Sequence, residues 1–170
     1  MKIVFVLSHI PDPRINKRIN ILKDKYNISV IFWNRQTVDI WDICHDDIDI
    51  HEVRIKAYYS NPIKRIIPTC KFAIEAIRIL KDLKPDLIYT GNLDMLSICN
   101  FYSRFNKKVK IIYEIADLNK LIIDKTKSII NNIIRRILVF TEKKLIKKVN
   151  LLVLTSEKFY DVYYYKFIEK

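Results

Sequence analysis

The run Ile3–Leu7 constrains the fold more than any other stretch of the chain. Five consecutive apolar residues, rich in β-branched side chains, are too few for a helix and suit a strand buried on both faces. Ser8-His9-Ile10-Pro11-Asp12-Pro13 ends it, because two prolines remove backbone donors and fix φ. Ile15, Ile19 and Leu22 then recur at helical spacing among Arg14, Lys17, Arg18 and Lys23. A buried strand, a polar turn and an amphipathic helix form the first half of a βαβ unit. In sheets of this kind ligands meet the chain at the carboxyl ends of the strands, here Ser8–Arg14.

The same alternation continues. Further strands are expected at Ile28–Trp33, Asp47–Ile55 (near a sheet edge), Asp86–Thr90, Val109–Glu114 and Leu151–Leu154, with Thr37–Cys44 as a loop. Helical spacing begins at Ile66 and runs to Lys84-Pro85, where proline ends it. Other helices are expected from about Asp94 to Phe105 with Asp94 or Asn92 as cap, over Ser128–Val149, and over Ser156–Phe167 with Ser156 as cap. Strands alternating with helices predict an α/β, Rossmann-like three-layer α/β/α sandwich on a mostly parallel sheet, with the first strand central. At 170 residues the chain is long enough for one such domain and too short for two.

Composition sets the remaining bounds. Half the residues are hydrophobic and 29% are charged, which excludes disorder. No apolar run approaches the roughly 18 residues that span a bilayer, and Met1-Lys2 leads straight into a strand, so no signal peptide is expected. Cys44, Cys70 and Cys99 are few and far apart, and read as small core residues of a cytoplasmic protein. The net charge of +12 attracts polyanions such as nucleic acid, anionic lipid or phosphorylated ligands, although compositional drift produces the same excess.

A single glycine, Gly91, is present. Glycine-rich phosphate loops need several, so hydride-transfer enzymes and P-loop NTPases are excluded, and no cofactor is expected. At the strand ends stand Ser8, His9, Asp12 and Arg14, then Asn92 and Asp94, then Glu114 and Asp117. Carboxylates and amides on one rim suit a hydroxyl-rich ligand, and one carboxylate could take a proton from a hydroxyl nucleophile. Asp12, Asp94 and Asp117 each suit a helix cap equally well. His45, Asp47, Asp49 and His51 would share one strand face, but four ligands along a straight strand span too far to converge, so no metal site is expected.

Lys64, Lys71 and Arg78 repeat every seven residues, as do Arg136 and Lys143, with Lys147 one turn beyond. Basic residues beside apolar stripes fit docking on anionic lipid; a core-facing helix with a solvated outer face gives the same pattern. Tyr163-Tyr164-Tyr165 lies on a terminal helix, not on a sheet face where bases stack, and no nucleic-acid partner is expected.

Four stretches together resemble a known family: Met1–Leu22 with Asp12-Pro13-Arg14 and Arg18; KPDLIYTGNLD over Lys84–Asp94; VKIIYEIADL over Val109–Leu118; and TEKKLIKKVNLLVLTSEKF over Thr141–Phe159. Their order is similar to that of the N-terminal half of GT-B glycosyltransferases, family 4 type, of capsule and exopolysaccharide synthesis. The resemblance implies a domain that holds a sugar acceptor, often lipid-linked, opposite a second domain holding the nucleotide-sugar. In retaining members the acceptor hydroxyl attacks the anomeric carbon as the nucleotide leaves. It implies Asp117 as catalytic residue, and Asp12, Arg14, Arg18, Asn92, Asp94 and Glu114 around the acceptor. Glu142 and Ser156 match a later motif of the family. Ala116 stands where many members carry histidine, so that contact is missing. No second Rossmann-like half and no E-x7-E donor segment follows in these 170 residues. The chain is therefore expected not to transfer sugar alone, but to work with a donor-binding domain or subunit at the cytoplasmic membrane face. The competing readings are a membrane-recruiting subunit of a two-chain transferase and a non-enzymatic flavodoxin- or receiver-like module.

Overall fold

A computed structural model describes residues 1–36, 48–57, 62–118, 129–166 and 168. In chain order they form β1 (Lys2–Leu7), α1 (Pro13–Lys23), β2 (Asn27–Asn34), β3 (Asp49–Arg54), α2 (Pro62–Leu83), β4 (Leu87–Gly91), α3 (Leu93–Phe105) and β5 (Lys110–Ile115). There follow α4 (Ile129–Ile146), β6 (Leu151–Leu154), the short α5 (Glu157–Val162) and a 3₁₀ turn at Tyr164–Lys166. The sheet order is β3-β2-β1-β4-β5-β6, with β1 central and β3 at an edge. Every pair is parallel; Phe5, for example, faces Val30 on one side and Tyr89 on the other.

Topology dictates the layers. The step from β1 to β2 runs one way across the sheet, whereas β3 to β4, β4 to β5 and β5 to β6 run the other way. Right-handed crossovers then put α1 on one face and α2, α3 and α4 on the opposite face. The two cores agree. Ile15 and Ile19 of α1 bury against Ile3, Phe5, Leu7, Ile28, Val30, Phe32 and Tyr89. Phe72, Ala76 and Leu80 of α2, Met95, Leu96 and Cys99 of α3, and Leu145 and Ile146 of α4 bury against Val4, Val6, Ile31, Trp33, Ile88, Ile111, Tyr113 and Ile115. The alternation along each central strand serves both faces, which is why the runs read as continuously apolar.

Several expectations are corrected. Helix α2 starts at Pro62 rather than Ile66, since proline suits the first helical turn, and Pro68 is accommodated inside it. The terminal helix over Ser156–Phe167 breaks at Tyr163 into α5 and the 3₁₀ turn, and Ser156 makes no capping bond from its side chain. Lys147 lies in the turn after α4, beyond the helix proposed to carry it. Cys99 is buried, which pushes its thiol up to about 12, but Cys70 is exposed and not a core residue. The proposed loop at Thr37–Cys44, together with Cys44, His45 and Asp47, lies outside the described residues. Asp49 and His51 pair with each other at 3.0 Å on β3. Among the described residues no cluster of three or more His, Cys, Asp or Glu side chains is placed to hold a metal. Nor is any of their helices long and apolar enough to cross a membrane.

Candidate functional site

At the carboxyl edge of the sheet, the ends of β1, β2, β4 and β5 open into a cleft of about 940 Å³ between α2, α3 and α4. Its polar lining includes Ser8, Arg35, Arg65, Asn92, Asp94 and Asp117, and its apolar lining Ile66, Leu118, Ile134 and Leu138. A small hollow adjoins it on the α1 side, lined by His9, Asp12, Arg14 and Glu114; Ser8, Asn92 and Ala116 border both.

The junction is fixed by the chain leaving β4. Asn92 has φ 63° and ψ 145°, a positive-φ backbone outside the left-handed helical region and uncommon for a residue other than glycine. It occupies the cap position of α3, yet its side chain does not cap; its Nδ2 donates to Ser8 Oγ at 2.5 Å, tying the ends of β4 and β1 together. The neighbouring Gly91 has the backbone oxygen of Glu114 3.3 Å from where a Cβ would stand, so the absence of a side chain lets β4 and β5 close here.

In the hollow, Asp12 does cap α1: its Oδ1 accepts from Ile15 N–H at 2.9 Å, and its Oδ2 from Arg14 at 3.0 Å. Burial pushes this carboxyl up, but the Ile15 N–H, Arg14 and His9 outweigh it and hold it below its usual value. Glu114 is 2% exposed. Arg18 donates to both its oxygens, at 2.8 and 2.7 Å, Tyr89 Oη donates to Oε2, and Arg14 Nε lies 3.7 Å from Oε1. Burial, then Glu114 as acceptor and as charge, pushes the Tyr89 hydroxyl far up, so Tyr89 stays protonated. The structure thus pairs Arg18 with Glu114 into a clamp between α1 and β5, with both carboxylate oxygens already occupied.

Asn92, Asp94 and Asp117 come together in the main cleft. Asp94, in the first turn of α3, is not a cap for its own helix beyond a bond from Met95 N–H; it receives Arg65 at 2.6 Å and lies 3.8 Å from Arg35. Across the cleft Glu142, 3% exposed, accepts from Tyr163 and Tyr164 at 2.9 Å each and from Tyr113 at 3.4 Å. Burial raises its carboxyl above the usual value, with the three hydroxyls opposing.

Sequence reasoning missed Arg35, Arg65 and the tyrosine set. Arg35 stands one residue past β2, a strand-end signal that was there to find. Arg65 lies inside a helix whose register brings it to the rim, which spacing alone does not reveal. The six basic residues singled out for a membrane, Lys64, Lys71, Arg78, Arg136, Lys143 and Lys147, are exposed and line neither cavity.

No protein-family model and no curated protein sequence matches the chain. Solved structures do. Sucrose-phosphate synthase from Thermosynechococcus elongatus superposes with a TM-score of 0.66 at 13% identity, over 96% of this chain and 45% of that one. UDP-GlcNAc 2-epimerase from Methanocaldococcus jannaschii gives 0.56 at 15% identity, over 99% and 43%. The apo lipopolysaccharide outer core galactosyltransferase WaaB gives 0.52 at 17% identity, over 66% and 32%. The chain spans less than half the length of each. The likeness is one of fold, that of a Rossmann-like GT-B domain, and an epimerase shares it with transferases.

Proposed function

We propose that this chain is the acceptor-binding half of a family 4-like glycosyltransferase of cell-surface polysaccharide synthesis, working on a lipid-linked glycan at an anionic membrane face. The observation that carries the reading is the cleft across four strand ends, which gathers Ser8, Asn92, Asp94 and Asp117 beside the apolar Ile66, Leu118, Ile134 and Leu138. Hydroxyl, amide and carboxylate groups offer donors and acceptors to sugar hydroxyls, and the apolar wall offers a berth for a lipid. Structural likeness to GT-B transferases supports the class of chemistry.

In this reading Asp117 accepts the proton of the acceptor hydroxyl. That oxygen bonds to the anomeric carbon of a nucleotide-sugar held by a donor-binding domain or subunit, and the bond to the nucleoside diphosphate breaks. Asp12 and Arg14 border the acceptor from the hollow. Arg18 and Glu114 serve the site by fixing α1 against β5. The test is sugar transfer by this chain joined to its donor-binding half. Asp117→Asn is expected to lower kcat by at least 100-fold while assembly is unchanged. Full activity of Asp117→Asn would remove the proposed base, and turnover by the 170-residue chain alone would refute the division of labour.

A further inference from the structure

Arg35 and Arg65 are the cationic side chains among the described residues lining the cleft, and they stand together. Both lie against the ring of Trp33, with guanidinium carbons 4.5 and 5.8 Å from its centroid. Trp33 is fully buried, stacked on Phe72 at 5.2 Å, with its indole N–H held by the Ile55 carbonyl at 2.8 Å. Both guanidiniums point a terminal nitrogen at the same oxygen, Asp94 Oδ2. Arg35 is nearly buried, whereas Arg65 and Asp94 keep 29% and 25% of their side chains exposed to the cleft. Leu93 and Asp94 begin α3 at this same wall, so the positive end of the helix faces it too.

We infer that the Arg35–Arg65 pair is a phosphoryl-binding subsite, taking a phosphate or pyrophosphate group of the cleft's ligand. Two planar guanidiniums held against one aromatic ring each direct a terminal nitrogen to a common point, and a phosphoryl group accepts hydrogen bonds from paired arginines in this way. Asp94 holds the forks in place and tempers their charge, so an incoming anion gains the arginines and meets Asp94 as a competitor. The apolar Ile66 beside Arg65, with Ile134 and Leu138 across the cleft, suits an apolar chain attached to that group. The inference rests on the acceptor-side reading for the identity of the ligand but not for the binding itself.

Isothermal titration of the 170-residue chain with inorganic pyrophosphate tests it. Saturable one-site binding is expected, weakened at least tenfold by Arg65→Ala, only partly restored by Arg65→Lys, and strengthened several-fold by Asp94→Asn. Lys81→Ala, exposed at the far end of α2, is expected to bind as the parent does. Thermal melts identify variants that fail to fold, and the gain expected for Asp94→Asn cannot arise from misfolding. Titration with farnesyl pyrophosphate separates the sources: tighter binding than pyrophosphate supports a lipid-borne group, and equal binding a soluble phosphorylated ligand. No saturable binding overturns the subsite, as does binding indifferent to both Arg65→Ala and Asp94→Asn, which would be diffuse attraction to the +12 chain. If pyrophosphate fails to bind while the joined halves transfer sugar, the subsite falls and the acceptor-side reading stands; binding without transfer gives the converse.

Discussion

At the scale of single residues, Glu114 is a buried carboxylate held by both donors of Arg18. Arg18→Ala leaves that carboxylate facing Tyr89 and the more distant Arg14, and is expected to cost about 3 kcal/mol in urea unfolding. Asp12→Ala removes one cap and is expected to cost about 1 kcal/mol. Because Asp12 titrates below its usual value when folded, its contribution holds above the unfolded value and fades as pH falls through the folded one. The sequence marked Asp12, Arg14, Arg18 and Glu114 through their places at strand and helix ends. It could not show that Arg18 and Glu114, 96 residues apart, occupy each other, because that depends on how α1 seats across the sheet.

At the scale of elements, Glu142 holds the end of the described chain. Tyr163 and Tyr164 both turn into its carboxylate, and to do so the chain leaves helical geometry at Tyr163. Residue periodicity read Ser156–Phe167 as one helix because it had no knowledge of a buried acceptor on α4. The strands fared better, since their apolar runs report burial directly; only their ends moved by a residue or two. Burial raises the Glu142 carboxyl from its usual 4.5, so the folded state binds its proton more tightly than the unfolded chain does. Its contribution is therefore complete below pH 4.5 and declines as pH rises through the folded value. Glu142→Gln is expected to flatten the dependence of melting temperature on pH above that point. An unchanged slope would show that Glu142 is not the group responsible.

For the whole molecule, the outer surface of α2, α3 and α4 is both apolar and basic. Ile67, Ile74, Phe101, Phe105, Ile133, Ile137 and Phe140 are exposed there, among Lys71, Arg78, Arg136 and Lys143. Seven-residue spacing made the two basic rows legible, but Phe101 and Phe105 join them only because topology lays α3 between α2 and α4. Water leaves such a surface at a gain when anionic headgroups meet the cations. Co-sedimentation with phosphatidylglycerol vesicles is therefore expected, lost with phosphatidylcholine alone, and cut at least fivefold by Ile67→Glu with Phe140→Glu. The parallel order and central β1 were legible because alternation of strand and helix leaves few topologies open. The Arg35–Arg65 wall was not, since it depends on three elements meeting.

The division of labour between an acceptor half and a donor half is tested most directly by native capture of this chain from its own cells, with intact-mass analysis of what is retained. The expected result is a donor-binding Rossmann-like half present one to one, in the same polypeptide or as a partner, with sugar transfer from a nucleotide-sugar by the captured assembly. Recovery of the chain without any such half, and without transfer, would contradict the account.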